Sequence, residues 1–250
     1  MKKILLLLLF SISFAFSQES INYQTPSDEI LELVEYDRPP SVTYDRDKNF
    51  MLFLYRDNYK SIEDLSQKEL RLAGLRINPK KNIGSRITYY NNVKIKNLKS
   101  KNPEINDIIG IPNNPLIANI NWSPNQKNIA FTNTSSDGVR LWVLNLESRS
   151  LTKLSDLKLN SNIGDVINWV NDNEIIVKVI PENKQNLIDQ DGIVPMGPTI
   201  SSNEGENAQN RTYQDLLKNK TDEFNFEQLV TSDLYSVSYT HLTLPTIYSV

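Results

Sequence analysis

Short runs of alternating apolar and polar residues recur along this chain, separated by turn residues, and that pattern predicts strands. The clearest unit runs Ile120-Asn121-Trp122, meets Ser123-Pro124-Asn125, and resumes at Ile129-Ala130-Phe131. Pro fixes φ and Asn tolerates left-handed geometry, so the middle segment is a turn between two strands. Val139 to Leu146 predicts a third strand, with Leu141, Val143 and Asn145 on one face and Trp142, Leu144 and Leu146 on the other. After a turn at Glu147-Ser148-Arg149-Ser150, Leu151 to Leu154 opens a fourth.

The phrase repeats. Val166-Ile167-Asn168-Trp169 meets a turn at Asn171-Asp172-Asn173 and continues as Glu174-Ile175-Ile176-Val177-Lys178-Val179. Trp122 and Trp169 lie 47 positions apart. An earlier copy is Val42-Thr43-Tyr44-Asp45-Arg46-Asp47-Lys48, followed by Phe50-Met51-Leu52-Phe53-Leu54. A period of ~40–50 residues with four short strands per unit is the signature of propeller blades. The expected fold is all-β: a partial β-propeller of about three to four blades at ~45 residues each. Three unrelated hairpins in a β-sandwich would be the competing architecture. If the repeat holds, Trp122 and Trp169 occupy equivalent core positions in adjacent sheets, each ending its strand before a turn.

Short helices are expected at both ends of this frame. Ser27 can cap one whose first turn carries Asp28 and Glu29, with Ile30, Leu31 and Val34 on one face. Tyr213 to Lys218 and Asp222 to Leu229 suggest others near 213–229. Val93 and Ile95 alternate with Lys94 and Lys96, a half-buried strand. The lysines at 94, 96, 99 and 101 suit a solvated strand edge better than a binding patch. Residues 181–211 are polar and loop-like.

The N-terminus points to export. Lys2 and Lys3 precede an apolar stretch from Ile4 to Phe16, and Ala15-Phe16-Ser17 supplies small residues at the positions a signal peptidase reads. Residues 1–17 are therefore expected to be a signal peptide, leaving a periplasmic or secreted protein. The stretch is shorter than the ~20 residues that a membrane anchor needs. The full chain has 27 basic and 30 acidic residues. Removing Lys2 and Lys3 leaves 25 against 30, a mature charge of −5. Such a surface offers no basic footprint for nucleic acid or for a membrane. With no Cys, disulfides and thiol chemistry are excluded.

The catalytic inventory is empty, and no cofactor or metal is expected. There is no Gly-x-Ser-x-Gly elbow and one histidine, His241. A Ser-His-Asp triad needs an imidazole held by a carboxylate, and none precedes His241. Asp189-Gln190-Asp191-Gly192 resembles the start of a calcium loop, but Ile193 and Ile200 stand where ligands would be needed, so it is read as a polar turn. No catalytic, cofactor-binding or metal residue is assigned.

Several phrases carry a resemblance. They are Tyr23-Gln24-Thr25-Pro26-Ser27-Asp28-Glu29-Ile30-Leu31-Glu32-Leu33-Val34, Pro40-Ser41-Val42, Glu69-Leu70-Arg71-Leu72-Ala73-Gly74-Leu75-Arg76-Ile77-Asn78-Pro79, Asn121-Trp122-Ser123-Pro124, Leu141-Trp142-Val143, Val194-Pro195-Met196-Gly197-Pro198 and Thr212-Tyr213-Gln214-Asp215-Leu216-Leu217. Over roughly Tyr23 to Ser236 the chain resembles the N-terminal propeller half of prolyl oligopeptidase-type serine peptidases, most of all the glutamyl endopeptidase branch. The Leu-Arg-Leu-Ala-Gly-Leu-Arg phrase is the most selective. The resemblance implies a propeller at 18–236 that restricts access to a separate α/β-hydrolase domain, which would carry the catalytic Ser, Asp and His. Peptide substrates would be handled through that missing domain, so the parent is expected to hydrolyse peptide bonds and this chain alone is not. Residues 237–250 depart from the family and are read as a non-native tail, with His241 incidental to function; a genuine last strand is the other reading. A complete periplasmic propeller serving as a protein-binding module is the rival function.

Overall fold

In the first two repeats the first turn is built by one side chain reaching back to the backbone. Asp45 Oδ1 accepts the N–H groups of Asn49 and Phe50, both at 2.6 Å. Seventy-eight positions later by the same alignment, Ser123 Oγ accepts from the N–H of Asn128 at 3.0 Å. Lys48 and Gln126 occupy matching places with φ of 55° and 60°. The computed structural model describes residues 24–189, 205, 213–239 and the backbone of 246–248.

These turns launch antiparallel hairpins. The first four-stranded sheet joins β1 (Ser41–Tyr44), β2 (Phe50–Tyr55), β6 (Asn92–Asn97) and β7 (Ile105–Asp107), in that order. The second joins β8 (Ile117–Trp122), β9 (Asn128–Ser135), β10 (Gly138–Asn145) and β11 (Leu151–Lys153), an uninterrupted meander. The third joins β12 (Ile167–Asn171), β13 (Glu174–Val179), β14 (Asp233–Ser238) and β15 (Thr246–Tyr248). Between β2 and β6 lies an insertion with a three-stranded sheet of β3 (Leu70–Leu72), β4 (Leu75–Asn78) and β5 (Ile83–Gly84). The expectation of a β-rich fold is met: the described residues form four antiparallel sheets and a few short helices.

The middle sheet is buried on both faces, as the alternation in β10 foretold. Val139, Leu141 and Val143 enter one core with Ile175, Val177 and Tyr235 of the third sheet. Leu144 and Leu146 enter a second core with Leu52, Leu54, Val93 and Ile95 of the first sheet. Side chains two residues apart on a strand share a face, so a single strand feeds both cores. Trp122 ends β8 and Trp169 lies in β12, in different sheets. Both are half-buried and packed against these cores; Trp122 ends its strand as expected, whereas Trp169 stands two residues before the end of β12. Trp169 Nε1 donates to the carbonyl of Asn121 at 3.2 Å, and Asn121 Nδ2 donates to that of Ile167 at 3.0 Å. The first strands of the two sheets are thus tied directly.

Three other expectations are corrected. Lys94 and Lys96 lie on β6, which is an interior strand between β2 and β7, so they do not guard an edge. Lys94 instead pairs with Asp107 of β7 at 3.1 Å. The helix near the C-terminus spans Lys220–Val230, here α3; Tyr213 to Lys218 is irregular, with Asp215 at φ 57°. The N-terminal helix α1 (Asp28–Val34) forms where expected, but Ser27 makes no side-chain cap and none of its residues is buried. It belongs to a separate unit, Met1–Asp37, distinct from Arg38–Val250. A short α2 (Ile62–Ser66) sits in the first insertion, capped by Ser61. Residues 1–17, most of the 181–211 loop, Gln190–Gly192 and His241 lie outside the described residues. Val237 is buried and pairs with Ile175 within the third sheet.

Candidate functional site

The selective Leu-Arg-Leu-Ala-Gly-Leu-Arg phrase folds as the β3–β4 hairpin. Ala73 and Gly74 form its two-residue loop with φ of 51° and 79°, the positive values a type I′ turn requires. Gly meets that requirement without strain, whereas Ala73 does so at a cost. The loop sets Arg71 directly opposite Arg76. Two like charges facing across a ladder repel, and Glu69, two residues before Arg71 on the same face, resolves the conflict. Its Oε1 accepts from Arg71 Nε at 3.1 Å and from Arg76 Nη1 at 3.0 Å. Its Oε2 accepts from Ser85 Oγ at 2.5 Å and lies 3.7 Å from Arg86 Nε. The Ser85 hydroxyl, then Arg76 and Arg71, outweigh partial desolvation and pull the Glu69 carboxyl from 4.5 to about 2. Arg76 also binds Asp215 at 3.0 Å, and Asp215 O accepts from Gly74 N.

This hairpin walls a cavity of about 670 Å³. Its cationic lining comprises Arg38, Arg56, Lys60, Arg71, Lys81 and Arg86, against the carboxylates Asp57, Asp64 and Glu69. Tyr89, Ile83 and Leu116 add apolar surface. Each carboxylate already has a donor: Asn91 Nδ2 for Asp57, Ser61 Oγ for Asp64, and the arginines for Glu69. Lys60 donates to the Ser85 carbonyl at 2.9 Å. Among the described residues, Arg38, Arg56 and Lys81 have no carboxylate within ion-pair distance. Arg56 Nε is buried and lacks an acceptor.

Six cationic side chains against three carboxylates give the cavity lining an excess of positive charge. Among the described residues no group of His, Cys, Asp and Glu is arranged to hold a metal, and no described helix is long and apolar enough to cross a membrane. No site residue was assigned from the sequence, so the cavity is new. A signal for it was available: a hairpin loop at Ala73-Gly74 forces Arg71 and Arg76 together, and such a pair needs an anion.

Comparison with known proteins places the chain. No family model matches it. It is 33% identical over 236 residues to a protein of Oryza sativa subsp. japonica named probable glutamyl endopeptidase, chloroplastic, covering 89% of this chain and 25% of that protein. A protein of the same name from Arabidopsis thaliana is 31% identical over 228 residues, covering 86% of this chain and 23% of its own length. The chain therefore spans about a quarter of the length of these relatives. The structure of a Pyrococcus horikoshii acylaminoacyl peptidase aligns at 16% identity and a TM-score of 0.35, covering 66% of this chain and 20% of that one, a likeness too slight to decide the fold.

Proposed function

Because this chain is a relative of the glutamyl endopeptidases over most of its length, we propose that it is the propeller region of an exported serine-type endopeptidase of the prolyl oligopeptidase type. In this reading the three four-stranded sheets are successive blades. The observation that supports it is the double burial of the second sheet between the first and third, since blades stack face to face around a ring. The repeated first-strand turns and the Trp169–Asn121 tie fit the same arrangement. The insertions then decorate the blades, and the first of them carries the cavity.

The chain's role is to gate. Peptide bonds would be cleaved in a hydrolase domain through an acyl-enzyme, and the propeller would admit peptides while holding back folded proteins. This chain by itself would hydrolyse nothing, because it has no nucleophile elbow. Residues 1–17 would direct export and be removed after Ser17. Residues 237–250 are proposed to be foreign to the parent sequence, so that β15 and the end of β14 would stand where the parent's own residues complete the third sheet.

The test is the coding sequence downstream of residue 236 and the product it encodes. A Gly-x-Ser-x-Gly followed by Asp and His, with activity on short peptides that is poor on folded proteins, is the expected result. A stop after a few more sheets, with no hydrolase, would make this a binding module instead. Edman sequencing of exported protein should begin at Gln18; an intact Met1 start in the exported protein would remove the signal-peptide proposal.

A further inference from the structure

The cavity beside the β3–β4 hairpin carries more positive charge than its own carboxylates use. Six cationic side chains line it against three carboxylates, which leaves three positive charges over. The carboxylates are already engaged: Asp57 by Asn91, Asp64 by Ser61, and Glu69 by Arg71 and Arg76. Lys60 donates to the Ser85 carbonyl, and Arg86 lies beside Glu69. Arg38, Arg56 and Lys81 remain, none with a carboxylate in ion-pair range among the described residues. They come from three separate places in the chain. Arg38 precedes β1, Arg56 directly follows β2, and Lys81 lies in the turn between β4 and β5. Arg56 Nε is buried and meets no acceptor, and a charged donor left dry and unpaired is costly unless a ligand or solvent completes it.

We infer that this cavity is a binding site for a small phosphate monoester, its phosphoryl group held by Arg38, Arg56 and Lys81. The charge count selects the group. A carboxylate brings one charge, and Glu69 in the same wall shows that two guanidiniums and a hydroxyl are enough to serve one. A phosphate monoester brings about −1.5 to −2 charge near pH 7 and three terminal oxygens, one for each cation left over. Arg56 offers a planar fork to two of those oxygens, and Lys81 a point charge. Ile83, Leu116 and Tyr89 supply an apolar wall, so the organic body of the ester has a place that inorganic phosphate would leave unfilled. A volume of about 670 Å³ is the size of a small-molecule site. A bound ester would join the approach to β1, the end of β2 and the β4–β5 turn, bracing the first insertion against its sheet. The site is independent of peptide-bond cleavage and draws on no residue outside this chain.

The experiment titrates the full chain by calorimetry at pH 8 and low salt with phenyl phosphate, benzoate and inorganic phosphate. Phenyl phosphate should bind at least about tenfold more tightly than either of the others. Its affinity should fall between pH 8 and pH 5, because the monoester takes up its second proton near pH 6 and loses a charge. Binding should weaken about tenfold or more in Arg56→Gln, less in Arg56→Lys, and measurably in Lys81→Gln and Arg38→Gln. Lys99→Gln, outside the cavity lining, should leave it unchanged. Saturating phenyl phosphate should raise the melting temperature of the wild type more than that of Lys81→Gln. Melts without ligand identify any variant that fails to fold, and Arg56→Lys and Lys81→Gln keep the test decisive if Arg56→Gln does. A folded chain that ignores phenyl phosphate at millimolar concentration, or binds benzoate as tightly, overturns the inference. So does affinity indifferent to the Arg56 and Lys81 variants. Inorganic phosphate binding as tightly as the ester overturns it too, by leaving the apolar wall without a role. Because the readout is binding and melting, none of these outcomes bears on whether the parent is a peptidase.

Discussion

Glu69 holds together residues that would otherwise repel. Arg71 and Arg76 face each other across the hairpin, and a single carboxylate serves both. Its side chain is 22% exposed, between a surface pair and a buried one. Glu69→Gln should therefore cost on the order of 1–2 kcal/mol, between the values for exposed and buried pairs. The pH dependence has a definite sign. The folded carboxyl is depressed to about 2 from 4.5, so its contribution is complete above about 4.5 and is lost as pH falls toward 2. Urea melts of wild type and Glu69→Gln should differ most at pH 7 and converge near pH 2; a gap that widens on acidification would refute the assignment. At the adjoining loop, Ala73 sits at φ 51° and is exposed. Ala73→Asn should raise stability by about 0.5–1 kcal/mol, since Asn adopts left-handed geometry more readily and Asn-Gly is the preferred type I′ pair. A lower denaturation midpoint for that variant would show that the loop is not under the strain its φ implies.

At the level of elements, the hairpins were legible because their causes are local. Ser123-Pro124-Asn125 and Asp45-Arg46-Asp47-Lys48 announce turns by residue type, and flanking alternation announces strands; β8 to β13 follow closely. The 213–229 region was half legible. Asn219 caps α3 by accepting from Asp222 N at 2.8 Å, a local signal. Tyr213 to Lys218 has helical residues too, but Asp215 is drawn into left-handed geometry while its carbonyl binds Gly74 and its carboxylate binds Arg76. Those partners lie more than a hundred positions away, and no local propensity reports them. The placement of β6 inside its sheet was missed for a different reason: β7 follows it closely and pairs Lys94 with Asp107, but Ile105-Asn106-Asp107 is too short for alternation to announce a strand. The turn-forming side chains can be tested directly. Asp45→Ala should cost about 1.5–3 kcal/mol, the range for hydrogen bonds to a charged acceptor. Asp45→Asn should cost less, because it keeps the oxygen that accepts from Asn49 and Phe50. Equal losses in chemical denaturation for the two variants would show that the charge, not the acceptor geometry, holds the turn.

Across the whole molecule, the sheets differ in how completely they are covered, and that difference predicts behaviour in solution. The second sheet is buried on both faces, whereas the first and third each commit one face to it. The pattern of alternation made the inward faces readable, since Leu52, Leu54, Val93 and Ile95 all point the same way. It could not say what covers the opposite face. On the first sheet that face carries Val42 and Tyr44 at 40% and 54% exposure beside half-buried Met51 and Phe53, while Lys94 and Lys96 separate these from Ile105. Val42 pairs with Phe53 and Tyr44 with Met51, so these side chains form adjoining rows rather than scattered points. Contiguous apolar patches on soluble proteins usually mark a surface that meets another. Purified chain should therefore self-associate as its concentration rises, seen as an increase in mass by light scattering on a sizing column. Substituting both Val42 and Tyr44 by Lys should suppress that association and, because neither side chain is buried, should shift the melting temperature by no more than a surface change does, about 0.5 kcal/mol in stability terms. Salt gives an independent check, since association through apolar rows should persist or strengthen at high ionic strength, when charge pairs are screened. A chain that stays monomeric at high concentration, or a double variant that associates as readily as the wild type, would show that this face is not the adhesive surface.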